Sequence, residues 1–268
     1  MYLMKIRNFT LIVKFTFVFF ILFYLANFEA MKRYRNQSRI LVAVDCIVFG
    51  FDGRQLKILL IKRGFEPMKN EWSLMGGFVQ EDESADQAAA RVLQQLTGLK
   101  GVYLEQIQAF TATDRDPIER TVSIAYSALI DIQRYEQQIS EDYHAEWFGL
   151  NEIPELIFDH SEMVNTARRK LRYQAALHPV LFELLPPRFT LPLLQSLFED
   201  VYGTRFDKGN FSRKILSTGL LIKTEEKDKS SSKKGAYYFR LDKKHYRQKF
   251  HTVLNFIPHL NELIHKNP

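Results

Sequence analysis

A loop predicted between two strands carries alternating acidic and basic side chains that could bind a small polar molecule. Its residues are Asp114, Arg115 and Asp116, and Glu119 follows shortly after them. Carboxylates accept hydrogen bonds and a guanidinium donates them, so this set suits the hydroxyl groups of a sugar. Loops held by a rigid sheet commonly carry binding groups. A turn stabilised by its own salt bridges explains the same residues equally well.

Asp45 is a further candidate, because it places a charge in the middle of an apolar strand. A buried carboxylate is unfavourable unless it is paired. Asp45 could therefore face a pocket or bond to a neighbouring loop. We predict a ligand site formed by Asp45 with the four loop residues. His160 could also face a pocket and Trp72 could stack on a ligand, but we expect structural roles for both.

A basic helix predicted at residues 208–217 could contact nucleic acid. The side chains of Phe211, Ile215 and Leu216 are expected to face the core. Four polar side chains then point outward: Lys208, Asn210, Arg213 and Lys214. Arginine and asparagine suit bidentate contacts with guanine and adenine edges. The same residues would also fit a solvated basic face on a small helical domain.

Positive charge is concentrated around this helix. Residues 203–250 hold fourteen basic and five acidic residues, whereas residues 40–202 hold fifteen basic and twenty-four acidic ones. A basic block beside an acidic body indicates a polyanionic partner. A polar tip between two predicted strands carries four lysines suited to phosphate contacts: Lys227, Lys229, Lys233 and Lys234. Phosphate contacts supply affinity without sequence information.

The elements predicted in residues 38–180 would hold the candidate ligand residues on one sheet. Alternating apolar residues and β-branched side chains predict strands at residues 40–51, 56–62, 102–110, 120–132 and 144–148. One helix is expected between the caps Ser84 and Gly98, and another begins with a capping box of Asp159 and Glu162. Strands, helix, strands, helix is the order of an α/β fold with a mixed sheet between helices.

Residues 184–245 predict a second, smaller domain. The paired prolines Pro186 and Pro187 mark its boundary as a stiff linker. Two helices with caps at Thr190 and Asp207 precede two strands, at residues 220–224 and 236–241, that flank the basic tip. Two helices followed by a two-stranded ribbon predict a winged helix-turn-helix domain.

Apolar segments lie near both ends of the chain. Residues 9–28 form a run long enough to span a bilayer. Either residues 1–30 are a signal-anchor, or translation starts at Met31; we favour the later start and a cytoplasmic protein, with membrane contact only if residues 1–30 are made. The tail at residues 246–268 is expected to be a packing or dimer segment. The single cysteine, Cys46, excludes an internal disulfide and is typical of a cytosolic protein.

Residues 76–99 resemble the Nudix box, the helix-containing motif of Nudix hydrolases. The matching residues are Gly77, Glu83, Arg91, Leu93, Gly98 and Leu99. The resemblance implies that residues 38–180 form a Nudix-like α/β/α sandwich. In the enzymes, the positions equivalent to 92, 95 and 96 carry glutamates that bind Mg²⁺.

The present chain departs from the motif at those metal-binding positions, where it has Val92, Gln95 and Leu96. The three positions share one helical face. Magnesium requires oxygen ligands, which valine and leucine cannot supply. We therefore predict a non-catalytic domain with no catalytic residues, no metal and no cofactor.

From about residue 40 to 245 the chain resembles the Nudix-related transcriptional regulators, in which a Nudix-like domain precedes a winged helix. The matching segments are VDCIVFGF, EWSLMGGFVQ, DRDP, FDH, LLPPRFTLPLLQSLFEDVYG and DKGNFSRKIL. The family implies a homodimer that binds palindromic double-stranded operator DNA and releases it on binding a metabolite. Its effectors include ADP-ribose-type nucleotides and L-arabinose, and SLMGGFVQ and VDCIVFGF most resemble the arabinose branch.

The leading hypothesis is therefore a sugar-responsive transcriptional repressor with a catalytically inactive Nudix-like sensor. An active Nudix pyrophosphohydrolase acting on a substrate such as ADP-ribose is the main alternative. A membrane-anchored adaptor is a third alternative, and it requires residues 1–30 to be translated.

Overall fold

A computed structural model of the chain describes residues 20, 21 and 23, residues 37–139, 144–230 and 234–249, with the side chains described up to residue 246. The chain divides into two compact units, Met1–Ile40 and Leu41–Pro268. Most of the apolar N-terminal run and of the tail at residues 246–268 lies outside the described residues. Among the residues that are described, no helix is long and apolar enough to cross a membrane.

The first half of the larger unit is a mixed sheet between helices. Its elements in chain order are β1 (Leu41–Phe51), β2 (Leu56–Lys62), β3 (Trp72–Ser73), β4 (Met75–Phe78), α1 (Ala85–Thr97), β5 (Glu105–Phe110), β6 (Thr121–Asp131), α2 (Ile132–Tyr135), β7 (Ala145–Gly149) and α3 (His160–Leu177). Strand β1 lies at the centre, parallel to β6 and antiparallel to β2 and β4. Strand β7 pairs with β2, and β5 extends the sheet beyond β6.

Strand β1 explains the layered arrangement, because it is buried on both faces. Alternate side chains of a strand point to opposite faces. Ile47 and Phe49 accordingly pack on the face that α3 covers, while Cys46 and Val48 pack on the face that α1 covers. Burial on both sides accounts for the continuous apolar run in the sequence.

The second half contains two helices and a small sheet. After a 3₁₀ turn (Val180–Leu184), its elements are β8 (Phe189–Thr190), α4 (Leu191–Tyr202), α5 (Lys208–Ser217), β9 (Leu221–Asp228), β10 (Ala236–Leu241) and α6 (Lys243–Lys249). Strand β10 pairs with both β8 and β9. Phe211 of α5 packs edge-on against Phe198 of α4, with ring centres 5.4 Å apart. The predicted fold class, an α/β sandwich followed by a winged helix, is confirmed.

The two halves share one apolar core. Leu184 and Leu185, beside the proline pair, are buried in it, so this segment is packed and does not act as a free linker. Arg172 of α3 donates from Nε to the carbonyl of Val201 at 2.8 Å. The backbone N–H of Leu56 donates to the Asp200 carboxylate at 2.8 Å. These contacts tie α4 to both α3 and the β1–β2 hairpin.

Some local predictions differ from the structure. The strand expected at residues 102–110 begins at Glu105, and the one expected at residues 220–224 continues to Asp228. Leu216, predicted to face the core, is 44% exposed, because α5 presents Ile215 and Phe211 to the core instead. The capping box predicted at the start of α3 is absent, since the Asp159 side chain makes no cap hydrogen bond there.

Candidate functional site

Helix α1 begins and ends as its sequence predicts. The Ser84 hydroxyl accepts a hydrogen bond from the N–H of Gln87 at 3.2 Å, and the Gln87 side chain accepts one from the N–H of Ser84 at 2.8 Å. Gly98 ends the helix with φ of 80°, a left-handed conformation that glycine adopts at little cost. The two caps set where α1 begins and ends, and so which of its side chains face the sheet.

The face of α1 that would carry metal ligands is apolar where it meets the sheet. Val92 is 3% exposed and packs so closely under Gly77 that a Cβ at position 77 would lie 2.7 Å from Val92 Cγ2. Leu96 is half-buried, and Gln95 uses its side-chain oxygen to accept a hydrogen bond from Arg91 at 3.2 Å. This set of side chains does not fit a magnesium site, because Val92 and Leu96 offer no oxygen.

Glu83 is the glutamate of the motif that this chain retains, and it forms a salt bridge with Arg91. Arg91 donates to its two carboxylate oxygens at 2.9 and 2.5 Å. These hydrogen bonds from Arg91 lower the pKa of Glu83 to about 2. Arg91 also donates to the carbonyl of Phe78 at 3.0 Å. The pair therefore holds the loop before α1 against the helix.

A buried group of charged side chains lies on the other side of β1. Asp45 accepts a hydrogen bond from the Ser123 hydroxyl at 2.5 Å, and Arg115 Nη2 lies 3.8 Å from the same carboxylate oxygen. Arg115 also makes two hydrogen bonds to Asp159, at 2.9 and 2.7 Å. The Asp159 carboxylate is thus taken by Arg115, which explains why it does not cap α3. We call Asp45, Arg115, Asp159 and His160 the buried charge cluster.

His160, the first residue of α3, completes this cluster. Its Nδ1 accepts a hydrogen bond from the N–H of Leu74 at 3.2 Å, and its Nε2 lies 3.6 Å from Asp45 Oδ1. Burial lowers the pKa of His160, and the negative charge of Asp45 only partly opposes that effect. The contacts agree with the structural role predicted for this histidine.

The buried histidine should make stability depend on pH. In the unfolded chain His160 takes up a proton near its ordinary pKa of 6.5, whereas the folded protein resists protonation. The unfolded state then binds more protons, so stability falls as pH drops below that value. We expect the free energy of unfolding of the wild type to fall more steeply than that of His160→Gln, by up to about 1.4 kcal/mol per pH unit. Urea unfolding at several pH values measures this difference; equal slopes would contradict it.

The structure brings together only part of the predicted ligand site. Asp45 and Arg115 are buried and adjacent. Asp116 is half-buried and accepts a hydrogen bond from the N–H of Ile118 at 2.9 Å, while Asp114 and Glu119 are exposed. A ligand-binding role for these five residues stays a prediction. Sequence reasoning missed Asp159 and Ser123, which reach the cluster from distant parts of the chain.

The predicted recognition helix, α5, is capped by Asp207, whose carboxylate accepts a hydrogen bond from the N–H of Asn210 at 2.8 Å. Lys208, Asn210 and Arg213 are exposed, and Lys214 is half-buried. The helix therefore presents donors on its outer side, as a groove-binding helix requires. Contact of these residues with DNA stays a prediction.

Strands β9 and β10 form the predicted wing. Lys227 lies over the ring of Tyr237 with its Nζ 4.4 Å from the ring centre, and Lys223 lies over it at 3.6 Å. Lys229 and Lys234 are exposed, whereas Lys233 falls in residues 231–233, outside the described residues. The described lysines are thus placed where phosphates could reach them.

A cavity of about 610 Å³ lies where the two halves meet. It is lined by the β1–β2 hairpin, the segment after β7, α3 and the end of α4, with Glu152, Arg168 and Asp200 among the lining residues. The cavity is separate from the motif helix α1.

The fold and these sites define a class of protein in which a Nudix-type domain precedes a DNA-binding winged helix. The NUDIX domain family matches residues 39–170. The NrtR DNA-binding winged helix domain family matches residues 181–241. The chain belongs to the NrtR-type family of Nudix-domain transcriptional regulators.

Individual relatives agree with this assignment. The chain is 34% identical over 223 residues to the ADPR responsive transcriptional repressor NtrR of Acinetobacter baylyi, covering 82% of this chain and 89% of that protein. The crystal structure of Shewanella oneidensis NrtR complexed with a 27mer DNA is 31% identical, with a TM-score of 0.67 over 77% of this chain and 95% of that one. An ADP-ribose pyrophosphatase of Methanocaldococcus jannaschii is 34% identical over 140 residues, 52% of this chain and 79% of that protein.

These matches do not support the effector branch favoured from the sequence. The relatives reported above are an ADPR responsive repressor, a DNA complex of NrtR and an ADP-ribose pyrophosphatase. They give no support to the L-arabinose branch. The segments SLMGGFVQ and VDCIVFGF lie mostly in strands β1, β3 and β4.

Proposed function

We propose that the chain is a transcriptional repressor that binds operator DNA through its winged helix and responds to ADP-ribose held by a non-catalytic Nudix domain. The observation that carries this proposal is the likeness to the ADPR responsive repressor NtrR over 82% of the chain, with both domains in place. The exposed donors of α5 and the lysines of the wing support DNA binding. The apolar face of α1 supports sensing without hydrolysis.

Hydrolysis of ADP-ribose is the competing function, and the likeness to a pyrophosphatase favours it. Such an enzyme uses metal ions to stabilise a reacting diphosphate. In this chain the positions of the metal-binding glutamates hold Val92, Gln95 and Leu96, and the valine and leucine side chains have no oxygen to offer a metal. We therefore favour the repressor without hydrolytic activity.

A homodimer on a palindromic operator is part of the same proposal. A closed two-fold dimer would place two copies of α5 on neighbouring half-sites of the duplex. Analytical ultracentrifugation of the full-length chain with the DNA should give two chains per duplex. A complex of one chain per operator would remove the dimer from the proposal.

Binding of the full-length chain to the DNA upstream of its own gene tests the regulator directly. Fluorescence anisotropy should show tight binding that weakens as salt increases, because phosphate contacts release counterions. Added ADP-ribose should change the affinity, and L-arabinose at the same concentration should not. Absence of DNA binding at every salt concentration would overturn the proposal.

Restoring the motif acids should create a metal site that the wild type lacks. In the variant Val92→Glu, Gln95→Glu, Leu96→Glu, a carboxylate at position 92 would be buried against Gly77. Without metal we expect a loss of stability on the order of 3 kcal/mol. Magnesium should raise the melting temperature of this variant and leave that of the wild type unchanged.

The matched control replaces the same three residues with glutamine, which has similar size and no charge. Its melting temperature should not respond to Mg²⁺. Equal responses of wild type and the glutamate variant, or no response in either, would contradict our placement of this helix face.

A further inference from the structure

We infer that Glu199 positions the recognition helix α5 for reading DNA, an inference that rests on the proposed function. Glu199 lies in α4, three residues before the helix ends, and residues 203–207 lead from α4 to α5. We call residues 203–207 the α4–α5 turn. Glu199 is 9% exposed and carries a carboxylate, so it does not suit contact with phosphate. It acts on DNA recognition through the turn, as a positioning residue.

Glu199 accepts hydrogen bonds from three backbone N–H groups of the turn. Its carbonyl oxygen accepts those of Gly203 and Thr204, the latter at 3.2 Å. Its carboxylate accepts that of Phe206 at 3.0 Å. Phe206 comes directly before Asp207, the cap of α5. The Glu199 side chain therefore holds the backbone at the point where the recognition helix starts.

Two further side chains hold the Glu199 carboxylate in place. Gln195 donates to it at 2.9 Å and also donates to the carbonyl of Phe206 at 2.9 Å, while Arg205 donates to it at 2.6 Å. Burial raises the pKa of Glu199, but its hydrogen bonds from Phe206 and from these two side chains outweigh that effect, so the pKa lies below its ordinary value. The carboxylate is ionised at neutral pH, and a charged acceptor makes stronger hydrogen bonds than a neutral one.

The end of α4 is itself fixed to the Nudix-type half. The Asp200 carboxylate accepts a hydrogen bond from the N–H of Leu56 in the β1–β2 hairpin. Arg172 of α3 donates to the carbonyl of Val201, and the Tyr202 hydroxyl donates to the carbonyl of Arg172 at 2.7 Å. Glu199 therefore reaches the turn from a helix end that is held from two sides.

The α4–α5 turn faces the cavity described above. Residues 203–205 contribute to the lining of this cavity of about 610 Å³. Atoms that line a cavity lack packing partners on that side. Phe206 packs on the side of α5, where its ring centre lies 6.0 Å from that of Phe211. The hydrogen bonds to Glu199 thus supply support to a turn that packing holds only in part.

A small tilt of α5 is enough to disturb contacts with bases. Arg213 lies six residues beyond the cap Asp207, about 9 Å along the helix axis. A tilt of about 10° at the start of α5 would therefore move Arg213 by about 1.6 Å. Hydrogen bonds to a base need a donor–acceptor distance of about 2.7–3.2 Å, so a shift of this size breaks them. Attraction to phosphates acts over about 10 Å and tolerates the same shift.

Fluorescence anisotropy of the full-length chain with its upstream DNA and with an unrelated duplex of equal length tests this role. We expect Glu199→Ala to reduce the ratio of the two affinities by about tenfold, because base contacts are lost and phosphate contacts are kept. Glu199→Gln should stay within about threefold of the wild-type ratio, since its side-chain oxygen can still accept the N–H of Phe206. A partly unfolded preparation loses both affinities alike, so the ratio reports the position of α5 and not stability.

The matched control is Glu83→Ala in the Nudix-type half. Like Glu199, Glu83 accepts hydrogen bonds from a backbone N–H, that of Gln80, and from an arginine, Arg91. Its removal should lower the melting temperature and leave the ratio of affinities at the wild-type value. Melting curves of all variants show how much stability each one loses.

The outcomes separate this inference from the proposed function. If the wild type prefers its upstream DNA and Glu199→Ala keeps the same preference, the positioning role is wrong and the regulator stands. A ratio for Glu199→Gln as low as that for Glu199→Ala, or an equal fall for Glu83→Ala, would also overturn the role. If the wild type binds neither duplex, the positioning role and the proposed function both fall.

Discussion

Replacing Arg115 by methionine should lower the free energy of unfolding by about 3–5 kcal/mol. Arg115 is buried, donates two hydrogen bonds to Asp159 and lies 3.8 Å from Asp45. Methionine fills similar space without charge, so both carboxylates would lose their compensating guanidinium. Breaking a buried ion pair by removing one partner is strongly destabilising, whereas most surface substitutions change stability by less than about 0.5 kcal/mol. Urea unfolding at neutral pH measures the loss.

The control for this variant is Arg54→Met, on the exposed turn between β1 and β2, which should remain close to the wild type. Adding Asp45→Asn to Arg115→Met should recover part of the lost stability, because it removes one of the two unpaired charges. A loss below about 1 kcal/mol for Arg115→Met would show that the buried charge cluster does not depend on this arginine.

Replacing Arg213 by alanine should weaken operator binding by about ten- to a hundredfold if this side chain contacts a base. Arg213 is exposed on α5, the helix that the fold offers to the major groove. The loss should be larger on the operator than on unrelated DNA, since a base contact carries sequence information. Fluorescence anisotropy with both duplexes measures this difference.

The dependence on salt separates the two roles that Arg213 could have. If it contacts only phosphate, Arg213→Ala should weaken binding to all sequences equally and reduce the slope of log affinity against log salt by about one. The control is Arg54→Ala, on the β1–β2 turn of the Nudix-type half. Unchanged binding of Arg213→Ala on both duplexes and at all salt concentrations would remove this residue from the interface.

Local features of the fold were predictable from the sequence. The caps at Ser84, Gly98, Thr190 and Asp207 involve residues only a few positions apart, and all four are present. The continuous apolar run of β1 also predicted a strand. A strand that is buried on both faces has apolar side chains in succession instead of alternating apolar and polar ones. The sequence alone showed that positions 92, 95 and 96 carry no glutamate, because the motif fixes the spacing of these positions on one helix.

Long-range contacts were not predictable in the same way. Asp159 looked like a helix cap, but Arg115 lies 44 residues away in the chain and takes its carboxylate. Only the fold brings Val92 into its buried cluster and so close to Gly77.

The prediction of an L-arabinose effector rested on two short segments of sequence. SLMGGFVQ and VDCIVFGF lie in β1, β3 and β4 and are shaped mainly by packing in the sheet. Binding groups are commonly carried by loops that a rigid sheet positions, and most of the residues in these two segments lie in strands. The whole-chain comparison therefore changed the expected effector while leaving the predicted fold intact.

The central claim is that ADP-ribose regulates DNA binding without being consumed. The most direct measurement adds ADP-ribose to a preformed complex of the full-length chain with its upstream DNA in Mg²⁺ buffer, follows anisotropy, and then quantifies the nucleotide by mass spectrometry. Our account predicts that the DNA is released and that the ADP-ribose is recovered intact. Conversion of ADP-ribose to AMP and ribose 5-phosphate, or DNA that stays bound at saturating ADP-ribose, would contradict it.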